Sequence, residues 1–298
     1  MTDSPWQPPT RPLLLDGATG TELDRRGVPI NLPLWSAMAL IDSPDAVRAV
    51  HEAYISAGAD AITTATFRTQ RRTLERAGLA GGDAKTLTSL AVDLARDAGR
   101  IADGEALVLG SVAPLEDCYR PELAPDGETC RREHTEHMEH LLDAGADMIL
   151  IETMNNGSEL RAATDVARDL APGLWIVSMC LRHDGPPGHL LSGETLESIG
   201  DGLEGAAAVG VNCVSAPTLA THLPSLRNAA GKEVPLAAYA NVGHARPDGS
   251  WQITDATAPD AYARYAEVWL DQGVRLVGGC CGTTAATIAA VRSLLDRR

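Results

Sequence analysis

The junction EAYISAGADAITT at residues 52–64 is repeated as EHLLDAGADMILI at residues 139–151 and, more loosely, as WLDQGVRLVGG at residues 269–279. Each copy has the pattern of a helix end, a glycine and a short apolar run. The glycine fits the left-handed position that ends many helices. The run after it, rich in Ile, Val and Leu, is typical of a strand in a buried parallel sheet. The repeat therefore predicts parallel strands that alternate with helices.

Eight such apolar runs occur along the chain, with helix-like segments between them. They span residues 13–16, 59–66, 106–113, 146–153, 174–181, 206–213, 234–241 and 274–281. Eight strand–helix alternations in a chain of 298 residues are typical of a closed α/β barrel. The turn DGATGTEL at residues 16–23 lacks the G-x-G-x-x-G order of an open dinucleotide-binding sheet. We predict a single-domain (β/α)8 TIM barrel over residues 1–298, with residues 1–12 as an extended N-terminal arm.

Charge and composition restrict the class of partner. A formal net charge of −15 argues against nucleic acid and anionic membranes, which need a basic face. No apolar run reaches the ~18 residues of a transmembrane helix, and no secretory signal is visible at the start. We therefore expect a cytoplasmic protein that acts on small molecules, with its oligomeric state left open. In such a protein, six cysteines indicate a metal site or catalysis more than disulfides.

Three cysteines fall where a barrel carries its chemistry, at the carboxyl ends of strands. Cys213 ends the sixth predicted strand and Cys280 and Cys281 end the eighth, so only the seventh strand separates them. Both sulfurs of the adjacent pair can reach one ion only if the strand is interrupted, which Gly279 and Gly282 allow. Three thiolates on Zn²⁺ leave one tetrahedral position open, as in catalytic sites. We predict a zinc site here; the alternative is that these are small packing residues, as buried cysteines often are.

Six segments resemble the homocysteine S-methyltransferase family, and the resemblance covers almost the whole chain. They are LLLDGATGTEL (13–23), NLPLWSAMAL (31–40), AGADAITTATF (57–67), AGADMILIET (144–153), GVNC (210–213) and GGCCGTT (278–284). The resemblance implies a zinc barrel that methylates the thiol of homocysteine to give methionine.

The same resemblance implies roles for individual residues. Cys213, Cys280 and Cys281 would be the zinc ligands, with the substrate thiol at the open position. Asp16 and Glu152 would hold the amino group of homocysteine. Gly17, with nearby backbone N–H groups, and Thr64 would receive its carboxylate.

The methyl donor is less well defined. Betaine-using relatives surround a quaternary ammonium with aromatic rings, as cation–π attraction favours. Here Arg68 follows Phe67, and Thr153 follows Glu152, at places where those relatives carry tyrosines, whereas Trp35 fits both groups. The chain has no room for the folate and cobalamin domains of cobalamin-dependent relatives. By elimination we favour a sulfonium donor, S-methylmethionine first and S-adenosylmethionine next, with a betaine-type or other donor as the alternative.

Two other classes of function are possible for a zinc barrel. One is metal-assisted hydrolysis, although zinc hydrolases of this kind usually bind the ion through His and Asp. The other is a non-catalytic protein that binds zinc or an amino acid. Three thiolates suit a thiol acceptor best, so methyl transfer is preferred; the acceptor could equally be a selenol.

The remaining candidates receive weaker assignments. His134, His137 and His140 are spaced by three on one predicted helix, which we expect to be a solvated outer face. His183 and His189 follow the fifth strand and could line the donor entrance.

Other positions lie near strand ends or in unusual segments. His244 and Arg246 follow the seventh strand and could take part in donor binding or gating. Cys180 is expected to be a packing residue, and the loop at residues 114–130 has no assigned role.

Overall fold

The computed structural model describes residues 11–100, 106–245 and 251–298. Residues 1–10 of the predicted arm, and Arg246, lie outside the described residues. The ten described strands are β1 (Leu13–Leu14), β2 (Ala61–Thr63), β3 (Leu107–Val112), β4 (Met148–Met154), β5 (Trp175–Met179), β6 (Ala208–Ser215), β7 (Leu236–Asn241), β8 (Gly243–Ala245), β9 (Trp251–Ile253) and β10 (Val274–Gly279).

Eight of these strands form one parallel sheet that closes into a barrel. Its order is β1-β10-β7-β6-β5-β4-β3-β2. A parallel bridge between Leu15, just after β1, and Ala61 of β2 joins the two ends. The predicted TIM barrel is therefore confirmed.

Helices cover the outside of the barrel. Those of the described chain are α1 (Thr19–Arg25), α2 (Met38–Asp42), α3 (Pro44–Ser56), α4 (Arg71–Arg76), α5 (Asp83–Gly99), α6 (Gly127–Asp143), α7 (Gly157–Leu170), α8 (Ala216–Ala230), α9 (Pro259–Asp271) and α10 (Ala285–Leu295). Between β5 and β6 the crossover uses a 3-10 helix, Glu197–Leu203, in place of an α-helix. None of the helices described combines the length and apolar character that a membrane span requires.

All eight predicted strands are present, but their bounds differ. β2 has three residues where eight were predicted. Ala59 still belongs to the turn after α3, because its N–H donates to the Tyr54 carbonyl at 3.0 Å, whereas the Asp60 N–H already donates to Leu14 of β1 at 2.7 Å. β6 instead continues two residues past Cys213. An antiparallel hairpin of β8 and β9 follows β7 and was not predicted.

The helix boundaries follow from local sequence. The repeated glycines Gly58, Gly145 and Gly273 have φ of 94°, 88° and 88°, which confirms their left-handed role. α3 begins at Pro44, with Ser43 as its N-cap residue. α7 begins at Gly157, and the side chain of its N-cap Asn156 accepts from the Glu159 N–H at 2.9 Å.

The core has two parts. Alternate residues of the strands fill the barrel interior, mostly with aliphatic side chains. They include Leu13, Leu15, Leu109, Met148, Leu150, Ile176, Ala237 and Leu276. A larger apolar layer packs between the strands and the helices. This arrangement leaves the carboxyl ends of the strands free for polar side chains.

The expected solvated histidine face of α6 was wrong for two of its three members. His134 and His137 are buried. The Nε2 of His134 lies 3.1 Å from Glu159 Oε1, and the Nε2 of His137 lies 3.2 Å from the carbonyl of Ser111. α6 packs against α5, α7 and β3, so a three-residue spacing falls on its inner side.

Candidate active site

The three predicted cysteine ligands meet at the carboxyl end of the barrel. The Sγ atoms of Cys213, Cys280 and Cys281 all lie within 4.8 Å of one another, and those of Cys213 and Cys280 are 3.2 Å apart. All three side chains are partly buried and none forms a disulfide. Together they form a group that can hold a metal ion.

Irregular backbone brings these sulfurs together. β10 ends at Gly279, so Cys280 and Cys281 lie beyond the regular strand. A Cβ at Gly279 would lie 2.3 Å from Thr283 Oγ1, and Gly282 has a φ of 83°. Both glycines are therefore required by the turn that carries the pair. The Cys281 N–H donates to Asn241 Oδ1 at 3.0 Å, which fixes the turn to the end of β7.

Cys213 itself has a φ of 54°, in the left-handed region, where β6 is irregular between Asn212 and Ser215. Thr153 on β4 has a φ of 62° at a similar irregularity. Non-glycine residues in this conformation are uncommon and cluster at functional sites.

The Asn212 side chain connects these two irregular strand ends across β5. Its Oδ1 accepts from the Thr153 N–H at 3.0 Å and from Ser178 Oγ at 2.9 Å, and its Nδ2 donates to Thr153 Oγ1 at 2.8 Å. Thr153 Oγ1 in turn lies 3.7 Å from Cys213 Sγ. Sequence reasoning missed Asn212 and Thr153, although both flank residues that it selected.

Two buried carboxyl groups line the same pocket. Asp16 accepts from the N–H and Oγ1 of Thr63, both at 2.9 Å, and burial raises its pKa to about 7. Glu152 accepts from Ser111 Oγ, and burial followed by the nearby Cys280 raises its pKa to about 8. Neither group forms an ion pair with another described residue. A ligand ammonium placed between them would favour the ionised forms of both.

The two other predicted substrate residues, Gly17 and Thr64, also line the pocket. A Cβ at Gly17 would lie 2.7 Å from Tyr54 Cε1, so only glycine lets the backbone approach here. Thr64 already uses its donors inside the protein. Its N–H donates to the Leu109 carbonyl, and its hydroxyl lies 2.8 Å from Thr66 Oγ1 and accepts from the Ser111 N–H. A carboxylate could reach the Thr64 hydroxyl only by displacing Thr66.

Aromatic rings and one cation also line the pocket. They are Trp35, Phe67 and Tyr119, together with Arg68. These residues come from the segments after β1, β2 and β3.

Residues 114–119, which we call the β3 wall, are held rigidly rather than forming a free loop. Leu115 N–H donates to Glu159 Oε1 at 2.7 Å, and the Cys118 carbonyl accepts from Asn155 Nδ2 at 3.0 Å. The Glu116 carboxylate pairs with Arg72 and Arg76. The loop predicted to extend to residue 130 is shorter, because α6 already begins at Gly127 after an Asp126 cap.

The remaining candidates do not line the described pocket. The rings of His183 and His244 stack with centroids 3.7 Å apart, and His189 Nδ1 lies 3.1 Å from the Pro186 carbonyl. Their roles in donor entry or gating stay predictions. Cys180 is buried, as expected for packing, and its Sγ lies 3.7 Å from the Cys213 carbonyl.

Comparisons with known proteins cover nearly all of the chain. The family described as homocysteine S-methyltransferase matches residues 13–295. Homocysteine S-methyltransferase of Escherichia coli K12 is 34% identical over 94% of both chains. Selenocysteine Se-methyltransferase of Brassica oleracea var. italica is 29% identical over 96% of this chain and 89% of that protein. The crystal structure of the metallated homocysteine methyltransferase MmuM from Escherichia coli superposes with a TM-score of 0.81 at 31% identity, covering 96% of both chains.

Proposed function

The chain belongs to the homocysteine S-methyltransferase family, and we propose that it uses zinc to transfer a methyl group from a sulfonium donor to the thiol of homocysteine, giving methionine. The family and the methyltransferase class predicted from the sequence are thereby confirmed. The observation that carries the proposal is the convergence of three sulfurs, distant along the chain, within 4.8 Å of one another.

The donor set fits zinc. Thiolates are soft ligands that select Zn²⁺ over hard cations such as Mg²⁺ and Ca²⁺. Cys213, Cys280 and Cys281 would hold the ion and leave the position facing the pocket for the substrate. When bound, zinc would keep the thiol of homocysteine deprotonated at neutral pH, and the thiolate is the nucleophilic form.

The protein's own residues would orient the amino acid. Asp16 and Glu152 would bind its ammonium, since both are buried and have no cationic partner in the described chain. Gly17 would offer backbone N–H groups to the carboxylate, and Thr64 would join it after releasing Thr66. This orientation points the substrate sulfur towards the three cysteines.

The aromatic rings would hold the donor. Trp35 and Tyr119 would lie against it, since aromatic faces attract an onium cation, whereas the Phe67 ring already has the Arg68 guanidinium 5.1 Å from its centre. The methyl group would then pass from the donor sulfonium to the thiolate in one displacement. The donor leaves as a neutral thioether and the acceptor becomes a thioether, so no general base is needed. We favour S-methylmethionine as the donor and S-adenosylmethionine next.

A donor and acceptor panel tests this proposal. Zinc-loaded protein is incubated with homocysteine and, in turn, S-methylmethionine, S-adenosylmethionine and betaine, and methionine is measured by mass spectrometry from isotopically labelled homocysteine. Selenocysteine is included as a second acceptor because a relative carries that name. We expect the fastest methionine formation with S-methylmethionine. Absence of methionine with every sulfonium donor would overturn the proposal.

A further inference from the structure

Arg68 is a buried cation in the pocket wall that pairs with no acidic side chain of the described residues. Its side chain is 7% exposed, and its Nη1 donates to the backbone carbonyls of Pro114 and Glu116, at 3.2 and 2.9 Å. Its Nε is buried and makes no hydrogen bond. Both acidic side chains of the β3 wall have other partners: Glu116 pairs with Arg72 and Arg76, and Asp117 accepts from the Tyr119 N–H at 2.9 Å.

The hydrogen bonding and the charge pairing of this buried guanidinium are incomplete. Arginine keeps its charge at any physiological pH, and an unpaired buried charge is costly. The two backbone carbonyls accept hydrogen bonds from Nη1 of the guanidinium, but they carry no net negative charge. Since Arg68 lines the pocket, a ligand carboxylate is the group that would complete it.

Arg68 also divides the pocket by charge. It is the single cationic side chain among the described lining residues, whereas Asp16, Glu152 and the three cysteines are the acidic groups of the lining. Its guanidinium carbon lies 5.1 Å from the centre of the Phe67 ring, which places the positive charge beside one of the aromatic rings. A simple onium cation near that ring would be repelled by Arg68. A donor that also carries a carboxylate would be attracted by it.

We infer that Arg68 binds the carboxylate of the methyl donor, so that the enzyme selects donors that combine an onium centre with a carboxylate. This inference rests on the proposed function and narrows its donor class. S-methylmethionine, S-adenosylmethionine and betaine satisfy the requirement, whereas trimethylsulfonium does not. Under the proposed function, Gly17 and Thr64 would bind the carboxylate of the acceptor separately.

The experiment compares S-methyl-L-methionine with its carboxamide, in which the carboxylate charge is removed. Binding to the zinc-loaded protein is measured by calorimetry without homocysteine, so that no transfer occurs, and kcat/KM is measured separately with labelled homocysteine. The variants are Arg68→Gln, Arg68→Lys and Arg76→Gln. Arg76 is the matched control, because it also supports the β3 wall but does not line the described pocket.

The wild-type protein is expected to prefer the carboxylate form about 10- to 100-fold, the usual range for a charged hydrogen bond. Arg68→Gln should bring the ratio close to one without changing the KM for homocysteine, and Arg68→Lys should restore part of it. Arg76→Gln should keep the wild-type ratio. Equal losses for both donors in Arg68→Gln, or a raised KM for homocysteine instead, would overturn the inference.

The binding measurement and the kinetic measurement together distinguish a failure of this inference from a failure of the proposed function. Methionine formation without any preference for the carboxylate would retain methyl transfer and reject the role of Arg68. Arg68-dependent binding of S-methylmethionine without methionine formation would support the carboxylate site and reject the proposed reaction.

Discussion

Cys213 and Thr153 adopt left-handed backbone conformations at the ends of two barrel strands, with φ of 54° and 62°. Such strain persists only where the surroundings enforce it. Here the distortion turns the Cys213 sulfur towards the pair after β10. The cysteine group thus depends on local backbone geometry, whereas the barrel interior is held by apolar contacts, against which only Cys280 of the three cysteines packs.

Cys280→Ser tests that separation. We expect the variant to lose bound zinc and all methyl transfer, because a serine hydroxyl is a poor ligand for zinc, while the barrel stays folded. Zinc is measured by atomic emission, and folding by circular dichroism and thermal melting. Cys130→Ala is the control, since Cys130 is buried beside the Pro125 carbonyl and is not part of the cysteine group. Global unfolding of Cys280→Ser would show that the metal is structural.

Glu152→Gln tests the proposed ammonium site. The amide keeps the size of the side chain and can still accept from Ser111 Oγ, but it carries no charge. We expect the KM for homocysteine to rise about 10- to 100-fold, the effect of losing one charged hydrogen bond, with zinc content unchanged. Steady-state kinetics at saturating donor provide the measurement. A loss of zinc in this variant would mean that Glu152 supports the metal group instead.

The three cysteines could be predicted from sequence because the barrel topology alone brings the ends of alternate strands close together. The contacts of Thr64 could not. Its hydroxyl pairs with Thr66 and the Ser111 N–H, and the latter belongs to a neighbouring strand 47 residues away. Resemblance transfers a residue's identity, but the hydrogen bonds it makes depend on neighbours that no local pattern reveals.

At the scale of elements, the barrel strands were predictable because a helix end, a glycine and a buried run follow one another at three junctions, those of Gly58, Gly145 and Gly273. The hairpin of β8 and β9 was missed because it breaks this alternation. Its second strand exposes Trp251 and Ile253, so no buried face produces an apolar pattern there. The buried face of α6 was missed because α5 and α7 cover the helix on both sides. It is therefore less exposed to solvent than a helix that packs on one side only.

Asn212 connects elements rather than residues, since its side chain bridges β4, β5 and β6. Asn212→Ala would leave the buried Thr153 N–H and Ser178 hydroxyl without their acceptor. We expect a loss of about 3 kcal/mol in the free energy of unfolding, together with weaker zinc binding as the β6 distortion relaxes. Urea unfolding and competition with a zinc chelator measure the two effects.

Ser178→Ala gives the matched control for that prediction. It removes one of the two donors to Asn212 Oδ1 and leaves both Thr153 contacts in place, so a smaller loss of stability with unchanged zinc binding is expected. If Asn212→Ala lost stability with unchanged zinc affinity, the bridge would support the sheet without shaping the metal group.

For the whole molecule, buried neutral histidines make the stability of the fold depend on pH. Burial lowers the pKa of His51, His137 and His222 to about 4 from an ordinary value of 6.5. Between pH 6.5 and 4 the unfolded chain therefore binds protons that the folded chain does not. Stability falls as the pH drops through this window, and each histidine contributes up to about 1.4 kcal/mol per pH unit.

His51 on α3 isolates one of these contributions, because it is fully buried and neither ring nitrogen has a hydrogen-bond partner. His51→Leu has similar volume and no titrating group, so it should match or exceed wild-type stability at pH 7 and exceed it by a further ~2 kcal/mol at pH 5. Urea unfolding of the metal-free protein at both pH values measures this difference. Equal pH slopes for wild type and His51→Leu would mean that His51 takes up its proton in the folded state. Water would then have to reach a part of the core that the packing of α3 against α5 and β2 closes.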